Sequence, residues 1–168
     1  MTTTKVLTFA FALFALIGLV GFQPAAAHFD DAGCTPGFWK ANAKKNDGDQ
    51  WPDFPSTGTI TPDTLLTDFG VVNTSGLDIT GMTFLDALQL KGGPDLAGKE
   101  EIFLRAAAAA ILNAYYPDSQ LSYPISSGDI LDLVNGVLAA DNPGFTTYMA
   151  GVLDGYNNAG CPLNNSGK

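Results

Sequence analysis

Cys34, in Gly33-Cys34-Thr35-Pro36-Gly37-Phe38-Trp39-Lys40, and Cys161, in Asn157-Asn158-Ala159-Gly160-Cys161-Pro162-Leu163, stand near opposite ends of the chain that follows an apolar leader. An even cysteine count in an exported chain reads as a bridge: oxidising compartments preserve disulfides, and two isolated thiols cannot fill a tetrahedral metal site. A bond between them ties the start of the fold to its end. It closes a loop long enough that the chain-entropy model assigns it roughly 5 kcal/mol as an upper figure. One closed unit is expected, with no interdomain linker and no internal repeat.

Export rests on residues 1–27. Lys5 is followed by the apolar run 6–22 and by Ala25-Ala26-Ala27, a small-residue cleavage site, so the first mature residue is expected to be His28. The competing reading is a retained anchor, since 17 apolar residues lie at the lower limit for a bilayer span; Gly18, Gly21 and Pro24 favour removal. Ala32-Gly33-Cys34 has small residues of the kind that precede a lipidated cysteine, but Asp30 and Asp31 separate it from the apolar run. No second stretch approaches spanning length, because the run 106–111 is short and follows Lys99, Glu100, Glu101 and Arg105. The expected location is therefore secreted or cell-surface, with no membrane span after cleavage.

Charge narrows the partners. The chain carries 17 Asp+Glu against 8 Lys+Arg, a formal net charge of −9, and loss of Lys5 with the leader deepens it by one. Such acidity argues against nucleic acid and anionic lipid. It leaves a basic ligand, an extracellular protein, a second copy of the chain, a neutral glycan or a divalent cation.

Residues 34–80 are rich in Pro, Gly, Thr and Asp, with Trp39, Trp51, Phe54 and Phe69 spaced through them. This composition reads as loops pinned by aromatics. Within it a short helix is expected over 38–45 after a Pro36-Gly37 turn, a helical turn over 60–66 opened by Thr61-Pro62, and a small hairpin pairing 71–72 with 77–79. Helical periods then take over. Thr83 caps 84–90, with Lys91 in its last turn. The segment 96–115 is the strongest helix former, its Ala106-to-Ala110 run apolar on more than one face, and is expected to be the central buried helix. Two further helices are expected over 129–140, capped by Ser126 or Ser127, and over 143–157. In the last, Phe145, Tyr148, Met149, Val152, Leu153 and Tyr156 form the expected buried stripe. The fold class is thus mostly α: a small domain of about four to five helices over 28–163, with an aromatic-rich looped N-terminal segment, one disulfide and a disordered tail at 164–168.

The string Cys34-Thr35-Pro36-Gly37-Phe38-Trp39-Lys40 resembles the signature opening a group of secreted bacterial and archaeal domains of poorly defined function. Their pattern continues with Asn-His, contains an alanine- and leucine-rich helix ending in Leu-Asn-Ala, and closes with Asn-x-x-Gly-Cys-Pro-Leu. The chain is similar at 34–40, at 104–114 and at 157–163, which spans essentially the whole mature domain. It departs at Ala41-Asn42, where the pattern has Asn-His. The resemblance implies export and a Cys34–Cys161 bridge. It implies no reaction.

Three kinds of site suggest themselves, and a hydrolytic one does not. His28, freed by cleavage, would place an imidazole beside a free amine, the start of a copper brace, with Asp30 or Asp31 as an oxygen ligand; a second histidine is lacking. Asn46, Asp47, Asp49 and Asp53 gather oxygens suited to Ca²⁺, the one cofactor the sequence suggests, without the twelve-residue loop of an EF-hand. No nucleophile elbow or phosphate loop is present, and Glu100 and Glu101 are explained by the helix start they occupy. Trp39, Trp51 and Phe54, with Tyr116, would form a glycan- or peptide-binding platform if exposed and core if buried. The expected function is a secreted, non-catalytic surface, matrix or binding protein, self-assembling or glycan- or peptide-binding. The alternative is a metal-dependent extracellular enzyme using His28 or the acidic turn.

Overall fold

The structure, a computed structural model, describes residues 32–43, 51–54, 58–74, 76–117 and 119–165. Helices begin where the sequence offers a side-chain oxygen to the orphan amides of a first turn. Thr35 accepts from Phe38 N and opens α1 (Pro36–Asn42). Thr83 and Asp86 form a reciprocal capping box on α2 (Phe84–Gln89). Asp95 opens α3 (Leu96–Tyr115), Ser126 opens α4 (Ser127–Ala139), and Asn142 opens α5 (Pro143–Asn157). A 3₁₀ turn, Pro162–Asn165, follows. The domain is mostly helical.

Some local expectations are corrected. Pro36-Gly37 is the first turn of α1, not a turn ahead of it, because the Thr35 cap starts the helix two residues early; Lys45 lies outside the described residues. Lys91 lies beyond α2, which ends at Gln89 with Leu90 as its cap. Over 60–66 there is a single Thr61–Thr64 turn; Leu65 then bridges Thr83, Leu66 N donates to Met82 O, and the chain turns again through 66–70. Among the described residues of 71–79 there is no hairpin. Side chains close that loop instead, Asn73 Oδ1 accepting from Ile79 N and Thr74 Oγ1 from Leu77 N, which displaces a backbone ladder. The two-residue strands β1 (Asp53–Phe54) and β2 (Gly58–Thr59), paired antiparallel, are too short to leave an alternation in the sequence. Asn164 and Asn165, expected in the tail, belong to the 3₁₀ turn; 166–168 lie outside the described residues.

The core is built around α3. Residues 103–104 and 106–113 of that helix are all buried, so it is apolar on every side through its C-terminal half. Its most extensive neighbour is α5, followed by α2, α4 and α1. Small residues permit that closeness: Ala106 to Ala110 of α3 are all buried, and Thr146, Met149, Ala150 and Leu153 are on the buried side of α5. Beside this pair lies a ring layer in edge contacts. Trp39 meets Phe38 at 5.1 Å and Trp51 at 6.4 Å between centroids, Trp51 meets Phe84 at 6.4 Å, and Phe69 meets Phe84 and Tyr115 at 5.3 and 5.2 Å.

Cys34 and Cys161 are bonded to each other. Next to the bond, Gly33 pairs with Gly160, and a Cβ at Gly33 would collide with the carbonyl oxygen of Tyr156, so only glycine fits that crossing. Thiol titration of the denatured, unreduced protein is expected to find no free cysteine. Replacing both by serine should cost about 2–4 kcal/mol in denaturant melts, mainly through the unfolded chain.

Candidate docking surface

Trp39 and Trp51, expected as a binding platform, are 0 % and 4 % exposed. Neither can stack on a ligand. Trp39 is held by its indole Nε1–H, which donates to Asn113 Oδ1 at 3.1 Å, and by a tilted contact with half-buried Tyr116 at 5.8 Å. Trp51 Nε1 is buried with no hydrogen-bond partner among the described residues, so the ring is kept for its packing area. Phe54 and Asp53 contribute backbone to β1, and their side chains lie outside the description. His28, Asn46, Asp47 and Asp49, the expected copper and calcium ligands, lie outside the described residues.

The polar groups that are buried serve the fold. Asn113 on α3 uses both ends of its amide: Oδ1 accepts from Cys34 N at 2.9 Å and from Trp39, while Nδ2 donates to Cys34 O at 3.0 Å and Asn157 Oδ1 at 2.9 Å. Asn157 on α5 completes the array, accepting from Tyr123 Oη at 3.0 Å and donating to Ala106 O at 2.9 Å. Two amides thus lock the disulfide segment, α1, α3 and α5 together, and on Asn113 both amide hydrogens and both oxygen lone pairs are used. On the opposite side Thr74 donates to the buried carboxylate of Glu100 at 2.7 Å.

Burial pushes the Tyr123 phenol well above its usual range, and the neighbouring Tyr156 adds to the effect; burial raises Tyr115 and Tyr116 as well. The folded values are higher than the unfolded ones, so the native state holds these protons more tightly. The stability they confer is intact below about pH 10 and declines as pH rises beyond it. Thermal melts between pH 8 and 11.5 should show this fall, and Tyr123→Phe should flatten most of it.

Apart from Val72 in the 71–79 loop, the large apolar side chains left exposed among the described residues are on α5. Thr146, Met149, Ala150, Leu153 and Asn157 face inward, whereas Phe145 and Tyr148 are 42 % and 52 % exposed and Val152 and Tyr156 are half-buried. This corrects the expected buried stripe, of which only Met149 and Leu153 are interior. Gly144, Gly151 and Gly155 lie on the same outward side. On the flank facing α3, a cleft of about 240 Å³ is lined by Ile102, Arg105 and Ala106 from α3 and by Thr147, Ala150, Gly151 and Asp154 from α5. Arg105 Nη1 donates to Leu90 O at 3.1 Å, anchoring the guanidinium at the end of α2. The outer surface of α5 therefore combines aromatic rings, bare backbone and, at one edge, an arginine and an aspartate. It can hold another surface.

No protein-family model, curated protein or solved structure matches the chain.

A Cβ added at Gly151 or Gly155 would meet nothing within 4 Å. Gly151→Ala and Gly155→Ala should each raise stability by about 0.5–1 kcal/mol, because alanine loses less backbone entropy in a helix. Thermal melts check this. The isolated domain thus has no packing use for these glycines.

Proposed function

We propose that the chain is a secreted, non-catalytic binding component of an extracellular surface or matrix, and that the outward face of α5 is its working surface. The observation that carries this reading is the exposure of Phe145 and Tyr148 on a helix whose opposite side is locked into the core. Apolar residues exposed together on one face of a rigid helix mark contact surfaces, which singly scattered ones do not. The leader at 1–27, the bonded cysteine pair and the resemblance to secreted domains all support export. Among the described residues no helix is long and apolar enough to cross a membrane. The described polar network supports the non-catalytic part, since Asn113, Asn157 and Tyr123 direct their hydrogen bonds to one another, to Trp39 and to backbone.

The test follows the native protein in culture medium and on cells of its host. Fluorescent protein should attach to those cells, and Tyr148→Glu should abolish attachment without lowering the melting temperature. Retention in the cytoplasm, or attachment indifferent to Tyr148→Glu, overturns the reading. Stoichiometric copper or calcium in protein purified from the host would overturn its non-catalytic part and favour a metal-dependent enzyme.

A further inference from the structure

We propose that the outward face of α5 pairs antiparallel with the same face of a second copy of this chain, in the register that seats Tyr148 of each copy over Gly151 of the other. This rests on α5 being the working surface and names its partner.

The argument starts from spacing. Gly144, Tyr148, Gly151 and Gly155 recur at steps of four, three and four, which holds them on one stripe of a helix, and all four are exposed. One large ring stands among three residues with no side chain. A two-fold interface joins a surface to itself, so knob and hole must both be present on it. Antiparallel pairing centred between Met149 and Ala150 supplies both: Tyr148 falls opposite Gly151, and the same register sets Gly144 opposite Gly155. Parallel pairing would instead set Tyr148 against Tyr148 and glycine against glycine, a clash beside three voids. The flanks agree, since the exposed ring of Phe145 then comes alongside Val152 and Tyr156 of the second copy.

Charge selects the same face. The chain as a whole carries −9, so most approaches between copies are repulsive. On α5 the one charged residue is Asp154, whereas α4 exposes Asp129 and Asp132. In the proposed register the two Asp154 positions are about 13 Å apart along the helix axes, beyond a Debye length of about 8–10 Å. Area sets the strength. A helix of 15 residues is about 22 Å long, and one such pair buries less than the roughly 1,200 Å² of stable complexes. The expected dissociation constant is on the order of 100 µM, weak in free solution and sufficient where many copies are held on one surface.

Sedimentation velocity of the disulfide-bonded protein, as its host secretes it, tests this from about 1 µM to 1 mM. The native protein should pass from monomer to dimer over that range. Gly151→Leu fills the seat of Tyr148 in open space, so it should keep or raise the melting temperature while weakening self-association at least tenfold. Tyr148→Gly combined with Gly151→Tyr exchanges knob and hole within the same register and should restore the dimer. A native protein that stays monomeric at 1 mM, or a dimer untouched by Gly151→Leu, overturns the proposal. Tyr148-dependent attachment to host cells, if found alongside a strict monomer, leaves the working-surface reading standing and assigns the face to a different partner.

Discussion

Ala110→Asp is expected to abolish the cooperative fold, with no thermal transition above about 30 °C at neutral pH. Ala110 is fully buried, and so are its helix neighbours Ala107, Ala108, Ala109 and Ile111. A carboxylate there has no route to water around α3. Burying it without a partner costs far more than losing a neutral hydrogen bond, and the room a methyl group occupies cannot take three further heavy atoms without moving a neighbouring helix. Each of these effects is several kcal/mol, against the 5–15 kcal/mol that holds an ordinary domain together. Ala110→Gly separates them, since it adds no volume or charge and should cost only about 1 kcal/mol with a modest cavity contribution. Circular dichroism melts of the two variants decide the matter: an Ala110→Asp protein that melts within a few degrees of the parent would mean that α3 is not the central helix.

The parts of this fold that could be read from sequence are those determined by neighbours in the chain. Thr83 lies three residues before Asp86, Asp95 three before Gly98, and Ser126 three before Asp129, so the starts of α2, α3 and α4 follow from local hydrogen bonds. The central place of α3 follows from a run too apolar to leave any side wet. Which half of α5 faces α3 does not follow. Its residues Phe145, Tyr148, Met149, Val152, Leu153 and Tyr156 cover so wide an arc at 100° per residue that either edge would serve as the core. Thr146 and Ala150 decided it, because small side chains let α5 sit against the alanines of α3, which turned the larger rings outward. The breadth of that arc was the signal for an exposed aromatic face.

The loops reversed in the same way. Composition cannot distinguish a ring that stacks on a ligand from one that fills a core, and Trp39 is core because Asn113 meets its indole N–H from a helix 74 residues further on. At 71–79 the β-branched residues favour a hairpin, yet the asparagine and threonine between them carry the oxygens that close the loop without one. Neither outcome is written in a local window.

Asn113 is the residue whose importance the sequence hides most completely, and Asn113→Leu is expected to destabilise the domain by about 3–5 kcal/mol. Leucine is close in size, so packing alone would tolerate it. The loss comes from the groups left behind: Cys34 N, Cys34 O and Trp39 Nε1 lose the partner that Asn113 gives them, and Asn157 Oδ1 keeps only Tyr123. A buried polar group deprived of its partner costs about 1–3 kcal/mol, and the losses fall on one network. Asn113→Asp gives the sharper test, because it keeps shape and acceptors while removing the two donors and adding a charge. Its carboxylate would face Cys34 O and Asn157 Oδ1, so burial and those oxygens must raise its folded pKa above the unfolded value of about 3.9. The sign follows: the variant should be most stable below pH 4, where the protonated acid donates one of the lost bonds, and should weaken as pH climbs toward 7. Denaturant melts at pH 4 and 7 for the parent, Asn113→Leu and Asn113→Asp measure this directly. A pH-independent Asn113→Asp, or an Asn113→Leu as stable as the parent, would show that the amide pair does not lock the disulfide segment to the helices.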